Sequence, residues 1–250
     1  MAAAAVDTGM AIEAIKSPPP TVEDALSRMT ELKAVCKRML AANAAPSGTT
    51  SEGEAWRLEK EIEGLVIHSA SVPGLSARRF RATTRLPCSP KFFRDSCVSF
   101  DERLKWDTAV AETSQLHGED KCGEGSTIWR LIVNGAFGVS RRDFVEVGTI
   151  EIDDDRTLWS YGQSVAADDV PSGDCVRGVN YPGSGWVVRP AEGPDGSKAC
   201  DCSYVVLTDL KGWLLSSVVS MALTGQFTQF FKQARAHIES RLAGGAEDDG

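Results

Sequence analysis

The chain has three histidines, three tyrosines and no apolar run approaching the length needed to cross a bilayer. A spanning helix takes about 20 such residues, so none is expected. His68, His117 and His237 stand in no triad order with a strained serine. Gly162-Gln163-Ser164-Val165-Ala166 misses the nucleophile-elbow pattern and lies in strand-like sequence. No P-loop or complete dinucleotide fingerprint is present. The expectation is a protein that is not an enzyme and has no cofactor.

A basic surplus is also missing. Lys and Arg number 27 against 35 Asp and Glu, a formal charge of -8. A nucleic-acid backbone would be repelled on average. Permanent adhesion to anionic membranes is disfavoured, which leaves transient contact. The seven cysteines are odd in number and irregular in spacing, which speaks for reduced thiols and a cytoplasmic setting rather than a disulfide framework. Cys200 and Cys202 form a C-x-C without a second pair or a nearby histidine, so no metal site is expected. Residues 1–20 lack a basic segment followed by an apolar one, so a secretory leader is not expected.

Hydrophobic residues make up 42% of the 250, ordinary for one globular domain with a sizeable core. Residues 1–20 are Ala-rich and end in three prolines, which predicts a loosely ordered leader. Residues 21–44 have helical spacing, with Thr21 as N-cap. From Trp56 the period changes to two. Runs at 56–63, 65–72 and 79–86 predict three strands with one wet face, the arginines at 78–81 lying on a solvated edge. Ser89-Pro90 starts a short helix. Further strands are expected within 109–117, 127–133, 144–152, 157–166, 175–189 and 202–210. About nine strands with few helices between them favour antiparallel pairing. Residues 214–242 predict one long helix whose wide apolar face carries Phe227, Phe230 and Phe231. An acidic tail, 243–250, ends the chain.

Four motifs then stand in order: L-K-W-D at 104–107, S-R-R-D-F-V at 140–145, Y-P-G-S-G-W-V-V-R-P at 181–190 and T-D-L-K-G-W-L at 208–214. In order and spacing, residues 55–242 resemble the START family of lipid-transfer domains, nearest in character to its phosphatidylcholine-transfer members. The resemblance implies an α+β helix-grip fold: a curved antiparallel sheet around a C-terminal helix, enclosing a tunnel for one lipid. The domain is expected to span 21–242 and to act as a monomer, carrying a lipid between membranes.

The resemblance also implies site residues. Arg103 falls where phosphatidylcholine-binding members place an arginine on the phosphate, with Asp107 beside it. A guanidinium fits a phosphate bidentately. An aromatic residue on the following strand helps to cage choline, and the spacing admits Trp129 or Leu131. Arg189 is a further candidate, for the cavity or for water, and Phe227, Phe230 and Phe231 line the lipid chains. The acid and base used by sterol-binding members are replaced by Trp129 and Gly148, and no compact amide-carboxylate set of the ceramide-carrier kind is evident, although Gln163 and Asn180 lie on late strands. Arg142 and Asp143 are expected to form a structural pair or a loop anchor. The Gly-rich loop 134–139 implies a lid, with Phe137 and Val139 at its tip. Trp213, Leu214 and Leu215 at the helix start are the other gate and membrane-contact candidates. Two other classes fit the same features: a lipid-sensing regulatory module, and an enzyme on a related cavity fold.

Overall fold

The structure, a computed structural model, describes residues 8–248 apart from Ser47, Glu124 and Phe137. Helices α1 (Thr8–Lys16), α2 (Val22–Ser27) and α3 (Met29–Ala44) lead into strands β1 (Arg57–Ile62), β2 (Leu65–Ala70) and β3 (Arg79–Leu86). A crossover follows, made of α4 (Pro90–Phe93), a π-helical turn (Arg94–Val98) and α5 (Phe100–Trp106). Strand β4 (Val110–His117), the short helix α6 (Glu119–Cys122), β5 (Ser126–Val133), β6 (Arg142–Ile152) and β7 (Leu158–Ser164) come next. The two-residue strands β8 (Val176–Arg177) and β9 (Val179–Asn180), then β10 (Ser184–Glu192) and β11 (Lys198–Asp209), precede the long helix α7 (Ser216–Ala243).

Nine strands form one sheet in the order β1-β2-β3-β11-β10-β7-β6-β5-β4, with β8 beside β6 and β9 beside β11. All neighbours along the nine-strand path are antiparallel. The turn between β1 and β2 puts both Glu63 and Gly64 at positive φ, 49° and 78°. That is the twist which lets a two-residue loop join right-twisted strands. The crossover after β3 carries the chain to the far edge, and the strands then return until β11 pairs with β3. Gly162 and Gly185 lie at adjacent register positions on β7 and β10. A Cβ on Gly185 would meet Ser160 O at 2.0 Å, and one on Gly162 would meet Val147 O at 2.2 Å. Two backbones approach here as only glycine permits.

Alternation assigns the two faces. Ile67, Phe80, Ala82, Leu158, Trp186 and Val206 point to the concave side and pack with Leu223, Phe227, Phe230, Phe231, Ala234 and Ile238 of α7. Each buried Phe removes apolar surface worth about 2–3 kcal/mol from water, so the three on α7 hold the grip. On the convex side, Cys36, Leu40 and Ala44 of α3 cover Trp159, Tyr161, Val187 and Val205.

Four expectations change. The leader is not loose over 8–16: Ala11 and Ile15 of α1 are buried with Met39 and Leu207. The helix over 21–44 is two helices that break at Arg28, while Thr21 does cap the first, accepting from Asp24 N at 3.1 Å. The arginines of 78–81 are not a solvated edge: Arg79 and Glu52 form a wholly buried ion pair at 2.8 Å, and Arg81 is buried over the Trp56 ring. The acidic tail is tied in at Asp248, whose carboxylate accepts from Ser89 N at 2.7 Å. Ser89 is also the N-cap of α4, as Ser-Pro predicts.

Candidate functional site

The concave face is incompletely filled. Between α7, β5, β6 and β11 lies a cavity of about 930 Å³, counting the solvent at its mouth. Leu131, Val133 and Phe144 form one wall; Val206, Leu223 and Phe227 form another. Ala136 and Val139 of the 134–139 loop border it. Deeper in, Trp186 stacks flat on Tyr204 at 3.8 Å, and Phe230 lies 5.1 Å from Trp186. This aromatic plug bounds the open space.

The polar groups come from few places. Arg103 and Asp107 are one helical turn apart at the end of α5, so both project to the same side. Arg103 Nε and Nη2 donate to Asp107 Oδ2 at 3.1 and 2.5 Å, and Asp107 Oδ1 accepts from Ala109 N at 3.0 Å. Asp107 is buried, and the guanidinium lies 5.4 Å from the centre of the Phe230 ring. Trp106 fixes this helix: its Nε1 donates to Ser96 O at 3.0 Å, and its ring packs on Phe230 and His237. The L-K-W-D motif is thus an anchor plus an ion pair, both residues of which line the cavity.

The remaining candidates separate. Leu131 lines the cavity, and Trp129 is one step further along the same face of β5. Trp129 donates to Thr127 Oγ1 at 2.6 Å and packs on Phe100. Phe227 and Phe230 line the space, whereas Phe231 is buried behind it against Trp186 and Phe230. Arg189 is exposed and outside the lining, because it sits one residue past Val188, on the opposite face of β10. Val139 is buried at the mouth rather than presented to solvent. Phe137 lies outside the described residues. Trp213 is fully exposed, Leu215 is 72% exposed and Leu214 is half-buried. Arg142 and Asp143 are not a pair. Strand alternation sends them to opposite faces. Asp143 is buried and takes Arg130 at 3.0 Å together with Arg177. Arg142 lines the cavity and donates to Leu210 O, to Lys211 O at 3.2 Å and to Ser140 O at 2.7 Å.

Two groups escaped the sequence reading. Tyr204 lines the cavity, and burial pushes its phenol up to about 12. Glu146 stands on the concave face of β6, opposite Trp129, and accepts from Asn180 Nδ2. Protein surrounds it and raises its pKa by desolvation, yet part of its surface stays accessible. That surface faces internal space. The signal was there: in R-D-F-V-E-V, Glu146 has the parity of Phe144. Asn180, flagged as isolated, lines the cavity, while Gln163 lies on the convex side, accepting from the Cys36 thiol.

Fold and site together define a cavity protein in which a curved sheet and one long helix enclose a mainly apolar space with a small polar cluster. The START domain model matches residues 41–242, and the chain belongs to that family. Among solved structures, human StAR-related lipid transfer protein 5 superposes with a TM-score of 0.72 at 20% identity, over 86% of this chain and 98% of that one. The lipid transfer and protein localization domain of human StarD13 gives 0.61 at 18%, over 74% and 87%. Human STARD10 gives 0.60 at 19%, over 90% and 84%. No helix among the described residues is long and apolar enough to cross a membrane.

Proposed function

We propose that this protein holds one lipid, a phospholipid, in the cavity and carries it between membranes as a cytoplasmic monomer, without catalysing a reaction. The carrying observation is the Arg103–Asp107 pair in the wall of an otherwise apolar space. Asp107 takes Nε and Nη2, and Nη1 is left for a phosphate oxygen. Each methylene withdrawn from water is worth about 0.8 kcal/mol, so the chains supply affinity while the polar cluster supplies selectivity. Packed at roughly 30 Å³ per methylene, about the volume of a water molecule, two sixteen-carbon chains would occupy some 900 Å³. They fill the cavity and its mouth, so the head requires Phe227 or Phe230 to give way. No histidine or cysteine lines the space, which supports a non-catalytic role.

Helix α7 is fastened along its later turns. Gln229 and Gln233 both donate to Thr108 Oγ1, at 2.7 and 2.9 Å, and Arg241 donates to Ser96 Oγ at 2.8 Å. Its first turns are exposed, with Met221, Leu215 and Trp213 as apolar groups facing solvent. These side chains suit a bilayer interface. The gate is the 134–139 loop with the first turns of α7, which part at a membrane surface. Linking Val139→Cys to Leu223→Cys with a bifunctional thiol reagent, in a Cys175→Ser background, should stop transfer between vesicles; unchanged transfer would rule out this gate.

The Glu146–Asn180 pair favours a second reading, since a carboxylate with an amide also suits the hydroxyls of a ceramide. Lipid extracted from the purified protein separates the two readings.

A further inference from the structure

Glu146 is an acid set where an apolar residue would have been the stable choice. It is enclosed by protein on the concave face of β6, between Trp129 on β5 and Ser164 on β7 in register. Among the described residues no arginine, lysine or histidine forms a salt bridge with it. Arg103 acts on it electrostatically from further away and is already bound to Asp107. Asn180 supplies a hydrogen bond but no charge. A buried carboxylate without a cation is costly, and its accessible surface faces the interior.

The charges near the polar end sum to minus one when ionised: Arg103 against Asp107 and Glu146. A second anion there is disfavoured, and a neutral head leaves Glu146 uncompensated. A zwitterionic head answers both charges. We propose that Glu146, with the Trp129 ring beside it, binds the cationic nitrogen of a zwitterionic phospholipid head whose phosphate rests on Arg103. This rests on the phospholipid reading above. A carboxylate attracts the cation directly, and an indole face adds to that attraction. The shared chemistry is a charged nitrogen, either quaternary or primary.

The test loads the full-length protein from vesicles of phosphatidylcholine, phosphatidylethanolamine, phosphatidylglycerol and ceramide with matched chains. Bound lipid is counted by mass spectrometry at about pH 7.5. The two zwitterions are expected to dominate. In Glu146→Gln their ratio to phosphatidylglycerol should fall roughly thirtyfold, the scale for removing one partner of a buried charge pair. Glu146→Asp, which keeps the charge, should restore much of it. A dominant phosphatidylcholine share points to ring contact, and a dominant phosphatidylethanolamine share to N–H donation; either supports the proposal. Phospholipid in the wild type with an unchanged ratio in Glu146→Gln overturns this proposal alone. Ceramide in place of phospholipid overturns the reading beneath it. If Glu146→Gln fails to fold, the wild type loaded at about pH 5 replaces it. Of the groups facing Glu146, Arg103 stays charged and Tyr204 neutral across that interval, Asp107 stays tied to Arg103, and both phospholipids compared, choline and glycerol, keep their charges. Protonation of Glu146 should then lower the same ratio, and a constant ratio would overturn the proposal.

Discussion

Replacing Arg142 with methionine should loosen the mouth of the cavity without emptying the core. Arg142 is buried at the start of β6 and has no carboxylate partner, and burial lowers its pKa. Its donors go to Leu210 O and Lys211 O on the segment leading into α7, and to Ser140 O and Oγ at the end of the 134–139 loop. One side chain therefore ties both halves of the gate together. Hydrogen bonds from a charged donor contribute about 1.5–3 kcal/mol each. Ser140 and Lys211 are exposed, so their carbonyls regain water in the variant, whereas Leu210 O is less free to do so. Methionine also avoids the cost of burying the guanidinium. The net loss is then about 2–3 kcal/mol, which for a chain of this length lowers Tm by roughly 4–12 °C. Thermal melting by circular dichroism reads the first effect. Release of a preloaded fluorescent phosphatidylcholine reads the second and should quicken. An unchanged Tm with unchanged release would refute the clamp.

Trp213→Ala with Leu215→Ser should leave Tm within about 1 °C, since both residues are exposed, while slowing vesicle-to-vesicle transfer several-fold; equal transfer would remove them from the membrane contact. Glu146→Gln should raise Tm at neutral pH. A carboxyl whose folded pKa is raised contributes stability below its unfolded value, about 4.3, and loses it as pH rises through the folded value. The variant's advantage should therefore grow with pH over that interval, and parallel Tm curves would contradict the burial of a charge at this position. In the native protein a thiol reagent should label Cys175 first, because Cys36, Cys88, Cys97, Cys122, Cys200 and Cys202 are buried with their thiols pushed upward. Fast labelling of several sites would mean that the core opens readily.

Most of the fold was legible because burial on one face leaves a period-two trace. The runs from Trp56 to Leu86 and from 142 to 152 gave strands, and the three Phe of α7 marked the helix that fills the sheet's concavity. Arg79 misled because its charge is hidden by Glu52, a residue 27 positions earlier in a loop that no local pattern connects to it. The helix α1 was missed because its anchors, Ala11 and Ile15, are too few to make a stripe. At the site, L-K-W-D located the Arg103–Asp107 pair by a one-turn spacing. Arg189 and Phe231 were misplaced by one position, enough to turn a side chain to the other face of a strand or behind the helix's cavity-lining edge. Glu146 was passed over as a solvated strand residue, since an acid in an alternating strand ordinarily marks the wet face. Its neighbours Asn180 and Tyr204 come from β9 and β11, so only the folded sheet assembles them.

Native mass spectrometry of the protein as purified, beside Arg103→Ala, tests the central claim most directly. One phospholipid mass per wild-type chain is predicted, with that adduct lost from the variant. A sterol or a free fatty acid on the wild type, or a phospholipid retained equally by Arg103→Ala, would contradict it.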